Sequence, residues 1–266
     1  MNVAGLYRYP VKGLSAERLR SVSLVAGYGF PKDRVYAVTD GSLAFDETNP
    51  QPAPKTQFLM LAKHERLAQL HTQFVDAEET LHVRDAQGVT RAYRLDRPED
   101  REGLAHELGR QVGVPVPGVP RVVFAEGHQF TDVSVHGVAL MRSISLINLA
   151  TVRDLSARLG MALDPLRFRG NLLFDGASPW SELEWVGRTL TLGDVRMRIV
   201  RRTKRCAATS VNPTTAERDV NLPLRIRELQ GHGDLGVYAE VLAGGTLSEG
   251  ASFVLDDATP EAAAVS

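Results

Sequence analysis

The sequence predicts an α+β chain, mostly β, in which a small mixed, barrel-like N-terminal domain precedes a β-barrel domain. Three observations predict it. Apolar and polar residues alternate in short runs closed by Gly, Pro or Asp, while only two windows carry a helical period. The stretch Val114-Pro-Val-Pro-Gly-Val-Pro120 is stiff and cannot join a sheet, so it divides the chain. A 266-residue chain that is 43% hydrophobic is long and apolar enough to bury a sizeable core. The expected units are 1–113 and 121–256, with 257–266 a frayed, small and acidic tail.

Each element follows from its own residues. Val3 to Tyr9 is a strand stopped by Pro10, and Ser21 to Val25 alternates as a half-buried strand does. Arg34 to Thr39 closes at Asp40-Gly41, and Asn49-Pro-Gln-Pro-Ala-Pro54 is a surface loop without regular hydrogen bonding. Leu70–Val75, Thr80–Val83 and Val89–Leu95 are short strands. Pro98-Glu-Asp-Arg-Glu opens an acidic-first helix running to Val112. Beyond the divide, Arg121–Phe124 is a strand, Ser143–Gly160 an amphipathic helix capped by its glycine, and Asn171–Phe174 a strand. Arg188–Leu192 and Val195–Ile199 form a hairpin about Gly193-Asp194, and Gly236–Leu242 and Ser252–Leu255 are the last strands.

Composition removes several function classes. The 31 Lys and Arg against 32 Asp and Glu leave a formal net charge of −1, which argues against a nucleic-acid partner. No apolar run approaches the roughly 20 residues of a bilayer span, so no membrane partner is expected. Met1–Gly13 lacks a secretory pattern, and the single cysteine suits a reducing cytoplasm, the expected location. One cysteine also excludes a four-cysteine iron–sulfur cluster. No His-x-x-x-His pair, Gly-x-Ser-x-Gly elbow or phosphate loop ending in Gly-Lys-Ser/Thr is present. Gly231-His-Gly-Asp-Leu-Gly236 has dinucleotide-fingerprint spacing but precedes a strand, so it reads as a loop.

Cys206 is the leading chemical candidate. It follows a predicted strand, basic residues through Arg205 crowd its N-terminal side, and small turn-prone residues follow it. A thiolate is the sulfur form that attacks or binds metal. A lone cysteine is otherwise most often a small buried hydrophobe, and Arg196 and Arg198 alternate with Met197 and Ile199 as a solvated face would. Three further groups sit at strand ends: Tyr9-Pro-Val-Lys-Gly13, Lys32-Asp-Arg34 and Arg167-Phe-Arg-Gly-Asn171. Together with Cys206 they suit an anionic ligand carrying a soft metal.

The order of these pieces resembles the MOSC superfamily. Tyr9-Pro-Val-Lys12, Asp33-Arg34, Phe130-Thr-Asp132, Ser145-Leu146, Arg167–Asn171, Trp185, Arg205-Cys206 and Leu235-Gly-Val-Tyr238 are similar to the molybdenum amidoxime-reducing component type, whose N-terminal β-barrel domain precedes the MOSC domain. The resemblance covers nearly the whole chain. It implies a molybdenum cofactor, a Mo-pyranopterin, with Cys206 as the protein's metal ligand and catalytic residue. Lys12, Arg34, Ser134, Arg169, Asn171 and Arg205 fall on its cofactor-binding positions; a dianionic phosphate wants such forked guanidinium and ammonium donors. The activity implied is reduction of a small N-hydroxylated or other N-oxygenated substrate by oxygen-atom transfer, with electrons from a separate electron-donor reductase. The alternative is a MOSC-type sulfur-carrier or cofactor-delivery protein without turnover. This chain departs from the family at Gly13 (often serine), Gly170 (usually proline), Asn212 and Ala251 (usually aspartates).

Overall fold

The computed structural model describes residues 1–256, so the tail expected at 257–266 lies outside the described residues. Its first part contains strands β1 (Asn2–Arg8), β2 (Glu17–Leu19), β3 (Ser21–Leu24), β4 (Tyr36–Thr39), β5 (His71–Val75), β6 (Thr80–Arg84) and β7 (Thr90–Arg94), then helix α1 (Pro98–Gln111). After the proline-rich segment 114–120 come β8 (Arg121–Phe124), α2 (Val138–Met141), β9 (Ile144–Asn148), α3 (Leu149–Leu159), β10 (Leu172–Asp175), β11 (Thr189–Leu192) and β12 (Val195–Lys204). The chain closes with α4 (Leu222–Gln230), β13 (Asp234–Ala243), β14 (Gly245–Ser248) and β15 (Val254–Leu255). The result is a mostly-sheet α+β fold built on one large curled sheet.

That sheet has eight strands in the order β15-β11-β12-β13-β9-β10-β1-β2. Its pairs are antiparallel except β9 with β10, which run parallel and need α3 as their crossover. The opening strand of the chain therefore sits within the sheet, with β10 on one side and β2 on the other. Leu6, Leu146, Phe174, Trp185 and Ile199 fill the sheet's main core, and Ile147, Leu155, Phe168 and Ile226 fill a second core under α3 and α4. A third core joins β5, β6 and β7 to α1 through Leu81, Val83, Leu104 and Leu108.

Two sequence expectations are corrected. Only Leu149–Leu159 of the expected helix Ser143–Gly160 is helical, because Ile144–Asn148 is buried at every position between β13 and β10. Such a segment has no solvent face, so its apolar residues carry neither period clearly. Asn148 marks the true junction by accepting a hydrogen bond from the Ala150 backbone N–H at 3.0 Å. The segment Gly231–Gly236 is not wholly a loop: Asp234, Leu235 and Gly236 begin β13, and Leu235 is fully buried.

Candidate functional site

At the meeting of the two expected units lies a cavity of about 380 Å³. Lys12, Arg34, Arg169, Asn171, Arg205 and Cys206 all line it. Ser134 does not; it is buried and borders a small adjoining hollow with Phe58, His128 and Phe130.

The lysines arrive on loops. Lys12 follows β1, and its backbone N–H donates to the Tyr36 carbonyl at 2.8 Å, which pins the loop along β4. Residue 13 then needs a left-handed backbone (φ +87°), so glycine suits a position where the family often has serine. The Lys12 ammonium donates to the Phe130 carbonyl at 2.9 Å and to Asp132 Oδ1 at 2.6 Å. Asp132 Oδ2 accepts from Lys55 at 2.8 Å, and Lys55 also sits beside the Cys206 thiol. Burial works against ionising Asp132, yet the two ammonium groups outweigh it and hold the carboxyl well below the usual range. Lys12 moves the other way, lowered by burial that Asp132 only partly offsets. Asp132 is thus one counter-ion shared by two lysines.

The arginines are held differently. Arg34 and Arg169 both adopt left-handed backbone, at φ 52° and 51°, which costs about 1 kcal/mol or more each for a residue with a side chain. Their guanidinium carbons lie 4.7 Å and 4.2 Å from the centroid of one buried ring, that of Tyr9. Arg34 donates to Asp33 and to the Arg169 carbonyl, and Arg169 donates to the Leu14 carbonyl at 2.8 Å. The Tyr9 hydroxyl donates to the Gly170 carbonyl at 3.3 Å, and burial raises its pKa to about 12. Gly170 is fixed by close packing, since a Cβ there would come within 2.4 Å of Ile147.

Arg205 is buried at the end of β12 and donates to the Leu235 and Phe168 carbonyls. Gly236 makes room for it: a Cβ there would meet the Leu146 carbonyl at 2.4 Å and the Arg205 guanidinium at 2.9 Å. Burial lowers both Arg169 and Arg205 to about 10, so both stay charged at neutral pH. Among the described residues neither makes a salt bridge. Two desolvated cations held by carbonyl dipoles and aromatic faces, with no carboxylate partner among the described residues, form a donor set that an anion completes.

Cys206 is half-buried and caps the turn Ala207–Ser210, its carbonyl accepting from the Thr209 backbone and hydroxyl. Its sulfur is one possible metal ligand. Among the described residues no group of three or more His, Cys, Asp or Glu could hold a metal ion, so a metal bound here must bring its other ligands. Asn171 has a different part. Its Nδ2 donates to the Tyr7 carbonyl at 3.2 Å and its Oδ1 accepts from the Ser145 N–H at 3.1 Å, tying β1 to β9 under the cavity floor.

Sequence reasoning missed Lys55, the shared role of Asp132, the Tyr9 ring and Gly236. Only proximity to Pro54 hinted that Lys55 stands on a constrained turn. Among the described residues no helix is long and apolar enough to cross a membrane.

Residues 132–254 match the family described as the MOSC domain, which supports the resemblance to the MOSC superfamily. No curated protein matches the chain. Among solved structures it is similar to YiiM from Geobacillus stearothermophilus, at 20% identity over 43% of this chain and 54% of that one, with a TM-score of 0.35. It is similar to the YUAD protein from Bacillus subtilis at 11% identity over 95% and 93%, TM-score 0.42. YiiM from Escherichia coli matches at 17% over 44% and 55%, TM-score 0.31. The chain spans about half the length of the two YiiM structures.

Proposed function

With residues 132–254 matching the MOSC domain, we propose that the protein binds the molybdenum cofactor and reduces small N-hydroxylated or other N-oxygenated compounds. The observation that carries this reading is one cavity shared by the Cys206 sulfur and by two buried guanidinium groups that no carboxylate among the described residues balances. That donor set fits the cofactor: Arg34, Arg169 and Arg205 would hold its phosphate and pterin, and Cys206 would supply sulfur to its metal. When bound, the cofactor supplies two-electron oxygen-atom transfer.

The protein's own residues bind and orient. Tyr9 fixes the directions of Arg34 and Arg169, while Asp132 holds Lys12 and Lys55 in place. The net reaction converts N–OH to N–H and releases water, consuming two electrons and two protons. The electrons come from a separate reductase, since one cysteine cannot ligate an iron–sulfur cluster of the usual kind. The reading places the protein in the cytoplasm and keeps the division between units at 114–120.

The test is metal and pterin analysis of wild type and Cys206→Ala from a host that makes the cofactor. Both samples are also assayed for benzamidoxime reduction under a chemical reductant. Wild type is expected to carry molybdenum and to turn over, and the variant to lose most of both. Wild type without metal or pterin, or with a stable added sulfur on Cys206 by intact mass, would replace the reductase with a carrier.

A further inference from the structure

We propose that the substrate carries an oxyanion group, received at the cavity mouth by Arg201 and Lys204; for the reaction, though not for the binding, this rests on the reductase reading.

The geometry begins in β12. From Val195 to Ile199 the strand alternates buried and exposed residues, as a strand with one solvated face must. Its pairing with β13 shifts register once in that half, between Arg196 and Met197, and twice beyond it, between Ile199 and Arg201 and between Arg202 and Lys204. Bulges of this kind re-aim side chains. All four residues Arg201, Arg202, Thr203 and Lys204 consequently line the cavity, where a regular strand would offer every second one.

The four are not equivalent. Arg202 is engaged, donating to the Leu183 carbonyl at 2.7 Å and pairing with Glu184 at 2.6 Å. Thr203 is buried, and its hydroxyl has no hydrogen-bond partner among the described residues. Arg201 and Lys204 are exposed, and among the described residues neither makes a salt bridge or side-chain hydrogen bond. The cavity as a whole is lined by nine lysines and arginines and a single carboxylate, Asp132, in a chain of net charge −1. Asp33, Asp219 and Glu184 neutralise Arg34, Arg167 and Arg202 from behind. Once Arg169 and Arg205 are given to the cofactor, Arg201 and Lys204 remain as unspent charge at the lip.

Like charges gathered at a cleft focus the field on whatever enters, so an anion is favoured there and a cation repelled. Lys204 is two residues from Cys206, at most about 7 Å along the backbone. An aromatic ring bearing an N-hydroxylated group at one end and an oxyanion at the other spans that interval. The concave placement favours a small molecule over the acidic face of a donor protein.

Equilibrium dialysis of the cofactor-loaded protein, without reductant, tests this with benzamidoxime, 4-carboxybenzamidoxime and 4-phosphonobenzamidoxime. Wild type is expected to bind the carboxylated compound about tenfold more tightly than the neutral one at low salt. The double variant Arg201→Gln/Lys204→Gln is expected to shrink that preference to about twofold or less. A further gain for the phosphono compound assigns the lip to phosphate groups, and no gain assigns it to carboxylates. Equal binding of the neutral and charged compounds by wild type, or a preference that survives the double substitution, overturns the inference. So does an unchanged preference accompanied by slower electron delivery from an acidic donor protein, which would give the lip to the donor. If the preference collapses as expected but wild type turns over none of the compounds under reductant, the reductase reading falls and the oxyanion site stands.

Discussion

Arg167 and Arg169 stand two residues apart in one short motif and face opposite demands. Arg167 makes two parallel hydrogen bonds with Asp219, its own side chain almost wholly buried. Arg169 is itself left-handed, lies on the Tyr9 ring and donates its one side-chain hydrogen bond among the described residues to a carbonyl. The first is a completed ion pair that holds the fold. The second has no carboxylate partner among the described residues. Two side chains of the same type in one motif thus differ only in what the rest of the chain brings to each.

The largest effect should come from breaking the completed pair. Arg167→Ala leaves the Asp219 carboxylate without its main partner and is expected to cost about 2–3 kcal/mol in denaturant unfolding, tempered by the partial exposure of Asp219. Titration sharpens the contrast. The hydrogen bond from Arg167 lowers the Asp219 pKa, so the pair's contribution is complete above the unfolded carboxylate value, about 4. It is lost as pH falls through the lower folded value. The gap in stability between wild type and Arg167→Ala should therefore narrow on acidification below about pH 4; a gap that widens would refute the assignment.

Arg169→Gln should invert the pattern. It removes a desolvated cation that has no counter-ion among the described residues, so stability should change by no more than about 1 kcal/mol, while the cofactor-free protein should bind inorganic pyrophosphate about tenfold more weakly by calorimetry. A stability loss matching that of Arg167→Ala would erase the distinction between the two arginines. The smallest effects belong to Tyr9. Tyr9→Leu removes the face on which both Arg34 and Arg169 lie and should weaken pyrophosphate binding about threefold, whereas Tyr9→Phe keeps that face and should stay near wild type. Equal losses in the two variants would mean that the hydroxyl bond to Gly170, not the ring, sets the arginines.

Much of the fold was legible because many of its strands have one wet and one dry face. β3 and the first half of β12 alternate cleanly, and α1 begins with the acidic turn and proline that helices favour. β9 was misread because, buried on both faces, it has no alternation to show. Helix α4 was passed over although Asn221 caps its start and Gly231 its end, since Pro223 and three charged residues mask its short apolar stripe. In the site, the local chemistry of Cys206, Arg169 and Arg205 could be read from neighbours in sequence. The division between Arg167 and Arg169 could not, because Asp219 lies 52 residues from Arg167. Asp132 as the joint counter-ion of Lys12 and Lys55 was equally hidden, being set by contacts 120 and 77 residues apart.

The place of β1 inside the large sheet has a consequence for how the protein is made. Its backbone bonds to β10 and to residues 250 and 251, so β1 is translated long before the last of its partners arrives. Lys12 and Arg34 are early in translation, while Arg169, Arg205 and Cys206 are late, and no wall of the cleft is whole until both have been synthesised. A ligand that needs both sides of the cleft can therefore be held only after Cys206 has been made.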